Sequence, residues 1–175
     1  MKPVRLLVVI WTSIVVSFSS WAGEPGKGYR GFVDANVDLQ FKQDDYYGGT
    51  TTTVSYGIST SHGYQFNPHF FLGAGLMFER IYPDPHDFLV RDFPIFIHAR
   101  TDWKIGELPL YGDLRAGGVI FGEYRIFISP TVGYRLNLGR KSNLNFGIGM
   151  NLRGCSWTDE KTFHPELAIR VGVDF

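Results

Sequence analysis

The chain has 175 residues, and 17 Lys and Arg balance 17 Asp and Glu. That neutrality leaves no basic footprint for nucleic acid. A single cysteine, Cys155, excludes an intramolecular disulfide, so whatever fold forms must close without covalent staples.

The N-terminus carries Lys2 and Arg5, then an apolar stretch from Leu6 to Phe18 broken by Thr12, Ser13 and Ser17. This stretch is shorter than the roughly 20 residues that a membrane-spanning helix needs. Ser20-Trp21-Ala22 places small residues at both key positions of a cleavage site. Residues 1–22 are therefore expected to be a signal peptide cleaved after Ala22, with residues 23–175 as one domain. Without Lys2 and Arg5 the balance becomes 15 against 17, or −2. Cys155 lies far from the leader, so it cannot serve as a lipoprotein attachment site. No second long apolar run follows.

Past the leader the chain alternates with period 2, the signature of strands with one apolar and one polar face. From Tyr29 to Phe41, Tyr29, Val33, Ala35, Val37, Leu39 and Phe41 oppose Arg30, Asp34, Asn36, Asp38 and Gln40, with Phe32 alone out of keeping on the polar face. From Thr51 to Phe66, Val54, Tyr56, Ile58, Tyr64 and Phe66 oppose Ser55, Gly57, Ser59, Ser61 and Gln65. Asn67-Pro68 makes a tight turn, since proline cannot extend a ladder. From Phe70 to Arg80, Phe70, Leu72, Ala74, Leu76 and Phe78 oppose Gly73, Gly75 and Glu79.

A fourth strand, Asp92 to Ile105, sets Phe93, Ile95, Ile97, Ala99, Trp103 and Ile105 against His98, Arg100, Asp102 and Lys104. After the break at Gly106 to Pro109, Leu110 to Phe121 opposes Leu110, Leu114, Ala116 and Ile120 to Asp113 and Arg115. Tyr124 to Leu136 opposes Tyr124, Ile126, Ile128, Val132 and Tyr134 to Arg125, Ser129, Thr131 and Arg135. Leu144 to Leu152 opposes Leu144, Phe146, Ile148, Met150 and Leu152 to Asn145, Asn151 and Arg153. The last strand, Pro165 to Phe175, alternates the same way and ends on an aromatic residue.

These eight segments predict an all-β fold: a closed eight-stranded antiparallel transmembrane β-barrel with up-and-down connections. Three features point the apolar face outward. Aromatic residues cluster at both ends of that face: Tyr29, Tyr64, Phe66, Phe70, Trp103, Tyr134 and Phe175 at one end, Phe41, Phe78, Phe93, Tyr124 and Phe163 at the other. Two girdles around an aliphatic belt build a lipid-facing surface. The polar face holds Arg30, Arg100, Arg115, Arg125, Arg135, Arg153 and Arg170 with Asp34, Asp38, Glu79, Asp102, Asp113, Glu166 and Asp174. So mixed a set suits a narrow lumen where each ion needs a partner. A soluble lipocalin-like barrel, the alternative with an apolar interior, usually adds a helix or disulfides, and neither is visible.

The whole mature chain resembles the small eight-stranded outer-membrane barrels of the OmpX and OmpA-transmembrane-domain type, the "outer membrane protein beta-barrel domain" group. The resemblance rests on Gly28-Tyr29-Arg30-Gly31-Phe32-Val33-Asp34, on His62 to Pro68 and on Phe71-Leu72-Gly73-Ala74-Gly75. It departs at Val173, where an aromatic residue is expected. The resemblance implies outer-membrane location, both termini in the periplasm, and recognition of Phe175 by the barrel-assembly machinery. Short connections then face the periplasm, and the longer ones, Lys42 to Thr50, Ile81 to Arg91 and Cys155 to Thr162, face outward toward lipopolysaccharide. Gly122-Glu123 alone is short where a long connection is expected.

No catalytic, cofactor or metal site is expected. An eight-stranded lumen is just wide enough for side chains to fill, so the charges most simply form a plug, with Phe32, Phe96, Phe121 and Phe127. The enzymatic alternative is a lipid A deacylase or acyltransferase, which needs a nucleophile with a histidine base. Its candidates are His62 with Ser59 or Ser61, and His98 or His164 with Glu166. His62 and the two serines have opposite parity on one strand and point apart. Asp84, His86 and Asp87 mix ligand types too loosely to fix a metal geometry, and Cys155 is expected to be a spectator. Tyr46, Tyr47, Phe88 and Trp157 give the outer loops aromatic surface, which either dips into lipopolysaccharide at the membrane surface, the favoured reading, or contacts a surface ligand of unknown identity.

Overall fold

The computed structural model describes residues 27–44, 50–82, 90–120, 126–139, 142–155 and 162–175. The strands are β1 (Gly28–Asp44), β2 (Thr50–Asn67), β3 (Phe70–Tyr82), β4 in two pieces (Val90–Asp92 and Pro94–Ile105), β5 (Leu108–Val119), β6 (Ile126–Asn137), β7 (Asn143–Cys155) and β8 (Thr162–Asp174). Each pairs antiparallel with its chain neighbours, and β1 also pairs with β8, which closes the ring. The chain is a closed eight-stranded antiparallel meander. Main-chain bonds between Gly31 and Phe175, at 2.9 and 3.0 Å, carry the closing ladder to the last residue. The predicted leader, residues 1–22, lies outside the described residues.

Every predicted strand is present, and most are longer than the pattern suggested. β2 has 18 residues, where crossing a bilayer takes roughly 9–11. β4 is interrupted rather than continuous from Asp92. Pro94 has no N–H to give the ladder, yet the register is unchanged across the gap, from Leu76↔Ile95 to Glu79↔Asp92. Proline also interrupts β6. The ladder to β7 skips from Ile128↔Leu152 to Thr131↔Gly149 around Pro130, and the Ser129 hydroxyl donates to the Met150 carbonyl at 3.1 Å.

The interior is polar and the exterior apolar. Ile58, Ile97 and Val132 are 58–64% exposed, whereas Arg100, Arg115 and Arg153 are 2–3% exposed. Leaving a large aliphatic side chain in water costs about 1.5–3 kcal/mol relative to burial. A soluble barrel would bear that cost on every strand, and a lipid-embedded one on none. The lipocalin-like alternative, with its apolar interior, is thereby overturned. Rings meet at both ends: Tyr64 meets Phe66 edge-on and Phe66 tilts against Phe70 at the short-turn end, and Phe78 meets Phe93 edge-on at 5.2 Å at the other, where Tyr124 and the side chains of Phe41 and Phe163 lie outside those described.

Glycines on the lumen wall make room for rings. A Cβ at Gly75 would sit 2.6 Å from Phe96 Cζ and 2.5 Å from the Thr60 carbonyl oxygen. Tyr111 lies against Gly133 and Gly147 in the same way. Overpacking of this kind costs about 1–3 kcal/mol, so Gly75→Val should lower stability by that amount. Gly139, with nothing within 4 Å of its Cβ position, should accept alanine within about 0.5 kcal/mol. Urea unfolding of the refolded barrel in lipid vesicles measures both.

Candidate functional site

The described lumen charges sort into three levels. At the end that holds Gly28 and Phe175, Arg30 donates to Asp102 at 2.6 Å, to Gln65 at 2.8 Å and to Asp174. Arg100 meets Asp102 at 2.9 Å and Asn145 at 2.9 Å, and its guanidinium lies 3.8 Å from the Tyr111 ring centroid. Arg135, the most exposed of these cations, reaches Asp102 at 3.3 Å and Asp174 at 3.8 Å. This level has three arginines for two acids.

In the middle, Arg115 donates to Asp34 at 2.7 Å and to Ser59 at 2.9 Å, and Arg170 donates to Asp113 at 2.7 Å. Here two cations meet two acids. Ser61 Oγ lies 2.7 Å from His98 Nδ1, and His98 Nε2 lies 3.8 Å from Asp113. This is the order of a hydrolytic triad, but the last distance is too long for a hydrogen bond. Ser61 and His98 are 1% and 0% exposed, and Phe32 and Phe71 close edge-on over the imidazole at 5.0 and 5.3 Å.

At the far level one cation faces four acids. Arg153 contacts Glu166 at 2.8 Å, Asp38 at 3.3 Å, Asp92 at 3.9 Å, and Glu79. Asn151 braces Asp38 at 3.2 Å and Glu166 at 3.3 Å. Met77, Phe96 and Phe127 pack together as the apolar part of the fill. Among the described residues, these levels place charged, amide and aromatic side chains along the lumen.

Outside the barrel, His62 joins a polar chain at the lipid-facing wall. Its Nδ1 lies 2.5 Å from the Tyr29 hydroxyl and its Nε2 lies 2.9 Å from Thr60 Oγ1, while Thr60 donates to the Phe32 carbonyl at 3.1 Å. With the Thr60 proton on that carbonyl, His62 donates from Nε2 and accepts from Tyr29. The imidazole is thus a bridge, not a base aimed at a nucleophile.

No family model matches the chain, and no curated protein matches it. Among solved structures, Neisserial surface protein A is similar with a TM-score of 0.54 and 16% identity, over 87% of this chain and 98% of that one. A de novo designed transmembrane β-barrel is similar with a TM-score of 0.50 and 12% identity, over 87% of this chain and 97% of that one. At these identities the likeness extends to the fold, a small transmembrane barrel, and no further.

Six of the seven predicted lumen arginines and all seven predicted acids line the interior, as parity required. The seventh arginine, Arg125, lies outside the described residues, as do Phe121, Tyr46, Tyr47, Asp84, His86, Asp87, Phe88 and Trp157. The side chains of Cys155 and His164 are likewise not among those described. His62 meets neither Ser59 nor Ser61, and the described contacts join His98 to Ser61 and Asp113, whereas Glu166 is held by Arg153 and Asn151.

Sequence reasoning missed Asp92 and Tyr111, which are 0% and 2% exposed in the lumen. Both share parity with assigned lumen residues, His98 and Asp113, and that signal was sufficient to find them. Ser61 and His98 come from strands separated by β3, and no local pattern announces such a contact.

Among the described residues, Arg153 is the one guanidinium among four carboxylates at its level. Breaking a buried pair costs about 3–5 kcal/mol because the partner stays charged and desolvated. Arg153→Met should lose that much, and adding Glu79→Gln should recover part of it by removing one stranded charge. Urea midpoints of the single and double variants decide this: equal midpoints would deny the coupling.

Proposed function

We propose that the protein is a non-enzymatic outer-membrane barrel, with both termini in the periplasm and a structural or surface-interaction role. The observation that supports this most is the inside-out distribution of side chains. An apolar wall between two aromatic girdles encloses a lumen packed with ion pairs. Such an interior supports a lumen closed by side chains, which favours the lipid-facing wall and the loop end as the surfaces for function. Export by a leader cleaved after Ala22, and recognition of Phe175 by the assembly machinery, belong to the same reading. N-terminal sequencing of membrane-extracted protein is expected to begin at Gly23.

The plug yields a direct test. Planar bilayers containing the refolded protein should show no conductance approaching that of a general porin, whose lumen needs 16 or more strands. Large, steady channels would overturn the filled lumen.

A lipid A-modifying enzyme is the second reading, and the Ser61–His98–Asp113 alignment is the observation in its favour. Burial of both reacting side chains weighs against it. Mass spectrometry of lipid A from cells with and without the gene separates the two. We expect identical acyl patterns. A changed pattern that Ser61→Ala abolishes would establish the enzyme instead. With lipid A unchanged, removing the Lys42 to Thr50, Ile81 to Arg91 and Cys155 to Thr162 connections and measuring surface adhesion separates interaction from support.

A further inference from the structure

Beyond the Phe78–Phe93 girdle, β3 and the first piece of β4 sort their charges by face. Glu79 stands opposite Asp92, and Arg80 opposite Arg91. Alternation sends the two acids inward, where both contact Arg153, and assigns both arginine positions to the outward face. Like charges directly opposite on one face repel. Among the described residues, the acids of these two strands, Glu79 and Asp92, lie on the other side of the sheet. The described residues around the outward pair are Val54, Tyr56, Ile58, Phe78, Tyr82 and Phe93, and none is a carboxylate.

The neighbours are instead phenols. Tyr56 is the β2 partner of Arg80. Its ring stacks on Tyr82 at 5.4 Å, their hydroxyls lie 2.8 Å apart, and Arg80 is within hydrogen-bonding reach of Tyr82. Neutral phenols orient a guanidinium without cancelling its charge. Arg80 is ten positions along β3 from Phe70, the opposite girdle. At about 3.3 Å per residue and a strand tilt near 40°, that is about 25 Å along the barrel axis, the height of the apolar band. Arg80 therefore stands at the lipid–water boundary, where a lipid headgroup sits, and the ladder places position 91 beside it.

We propose that Arg80, Arg91 and the Tyr56–Tyr82 pair dock the phosphate of a phosphorylated glycolipid headgroup in the outer leaflet. The proposal rests on the outer-membrane orientation above. Arg80, with a second arginine at the opposed ladder position, supplies the charge that a phosphate dianion needs, and the guanidinium fork matches its oxygens. The phenols supply further hydrogen bonds and flat ring faces for a sugar.

Native mass spectrometry of the purified protein in detergent, titrated with bisphosphorylated lipid A or its dephosphorylated form, tests this. Wild type should prefer the phosphorylated form about ten-fold or more, as charge-assisted hydrogen bonds imply. Arg80→Gln with Arg91→Gln should remove that preference while the variant still folds, as judged by its retained heat-modifiable migration. The single Arg80→Gln variant provides the same readout if the double variant misfolds. Equal binding of both lipids by wild type, or a preference that survives the substitutions, overturns the site and leaves the barrel reading intact. Failure of wild type to insert into phosphatidylcholine vesicles removes the membrane reading, and the site with it.

Discussion

Closure of β1 on β8 is the constraint from which the rest follows. In hydrocarbon no water meets an unpaired N–H or C=O, so a sheet that crosses a bilayer cannot leave an edge. Eight strands close the ring here, and the Gly31–Phe175 main-chain pair carries the seam to the final residue. Eight strands also fix the bore. At that number the interior holds side chains and little else, so every inward position becomes a packing problem as well as a polarity problem. The wall glycines answer the first: Gly75 yields to Phe96, and Gly133 and Gly147 yield to Tyr111.

The polarity problem is answered by pairing. Buried ions are tolerated when each meets counter-charges and donors, and they destabilise when left alone. The levels divide unevenly, with three arginines against two acids near the termini, two against two in the middle and one against four at the far end. Among the described residues the lumen thus grows more negative away from the termini. The same strands that carry Glu79 and Asp92 inward carry Arg80 and Arg91 at the next position, which belongs to the opposite face. One alternation produces both the acid-rich lumen level and the cationic outer rim.

Architecture was legible because a strand's two environments here are extreme opposites, lipid and a charged lumen, and period-2 alternation records both. Phe32 shows the limit of reading polarity alone: it looks like an error in the pattern, yet it is 0% exposed and packs against Phe71, His98 and the Arg30 and Arg100 guanidiniums. Prolines blurred the boundaries, since Pro94 and Pro130 break ladders without breaking register. Which lumen residues touch was not legible. Arg153 gathers carboxylates from four other strands, a convergence that depends on the closed ring rather than on any segment.

The Ser61–His98–Asp113 alignment shows why residue types in the right order do not make a site. A catalytic serine needs a proton acceptor, an orienting acid at hydrogen-bond distance and room for a substrate carbonyl. Only the first is met, at 2.7 Å. Asp113 is already held by Arg170 at 2.7 Å and stands 3.8 Å from the imidazole, and aromatic rings occupy the approach. The same residues serve the plug well, because an imidazole bonded to a hydroxyl fills space between arginines. The described lumen side chains are thus spent on one another, whereas Tyr56, Arg80 and Tyr82 stand on the outward face of β2 and β3.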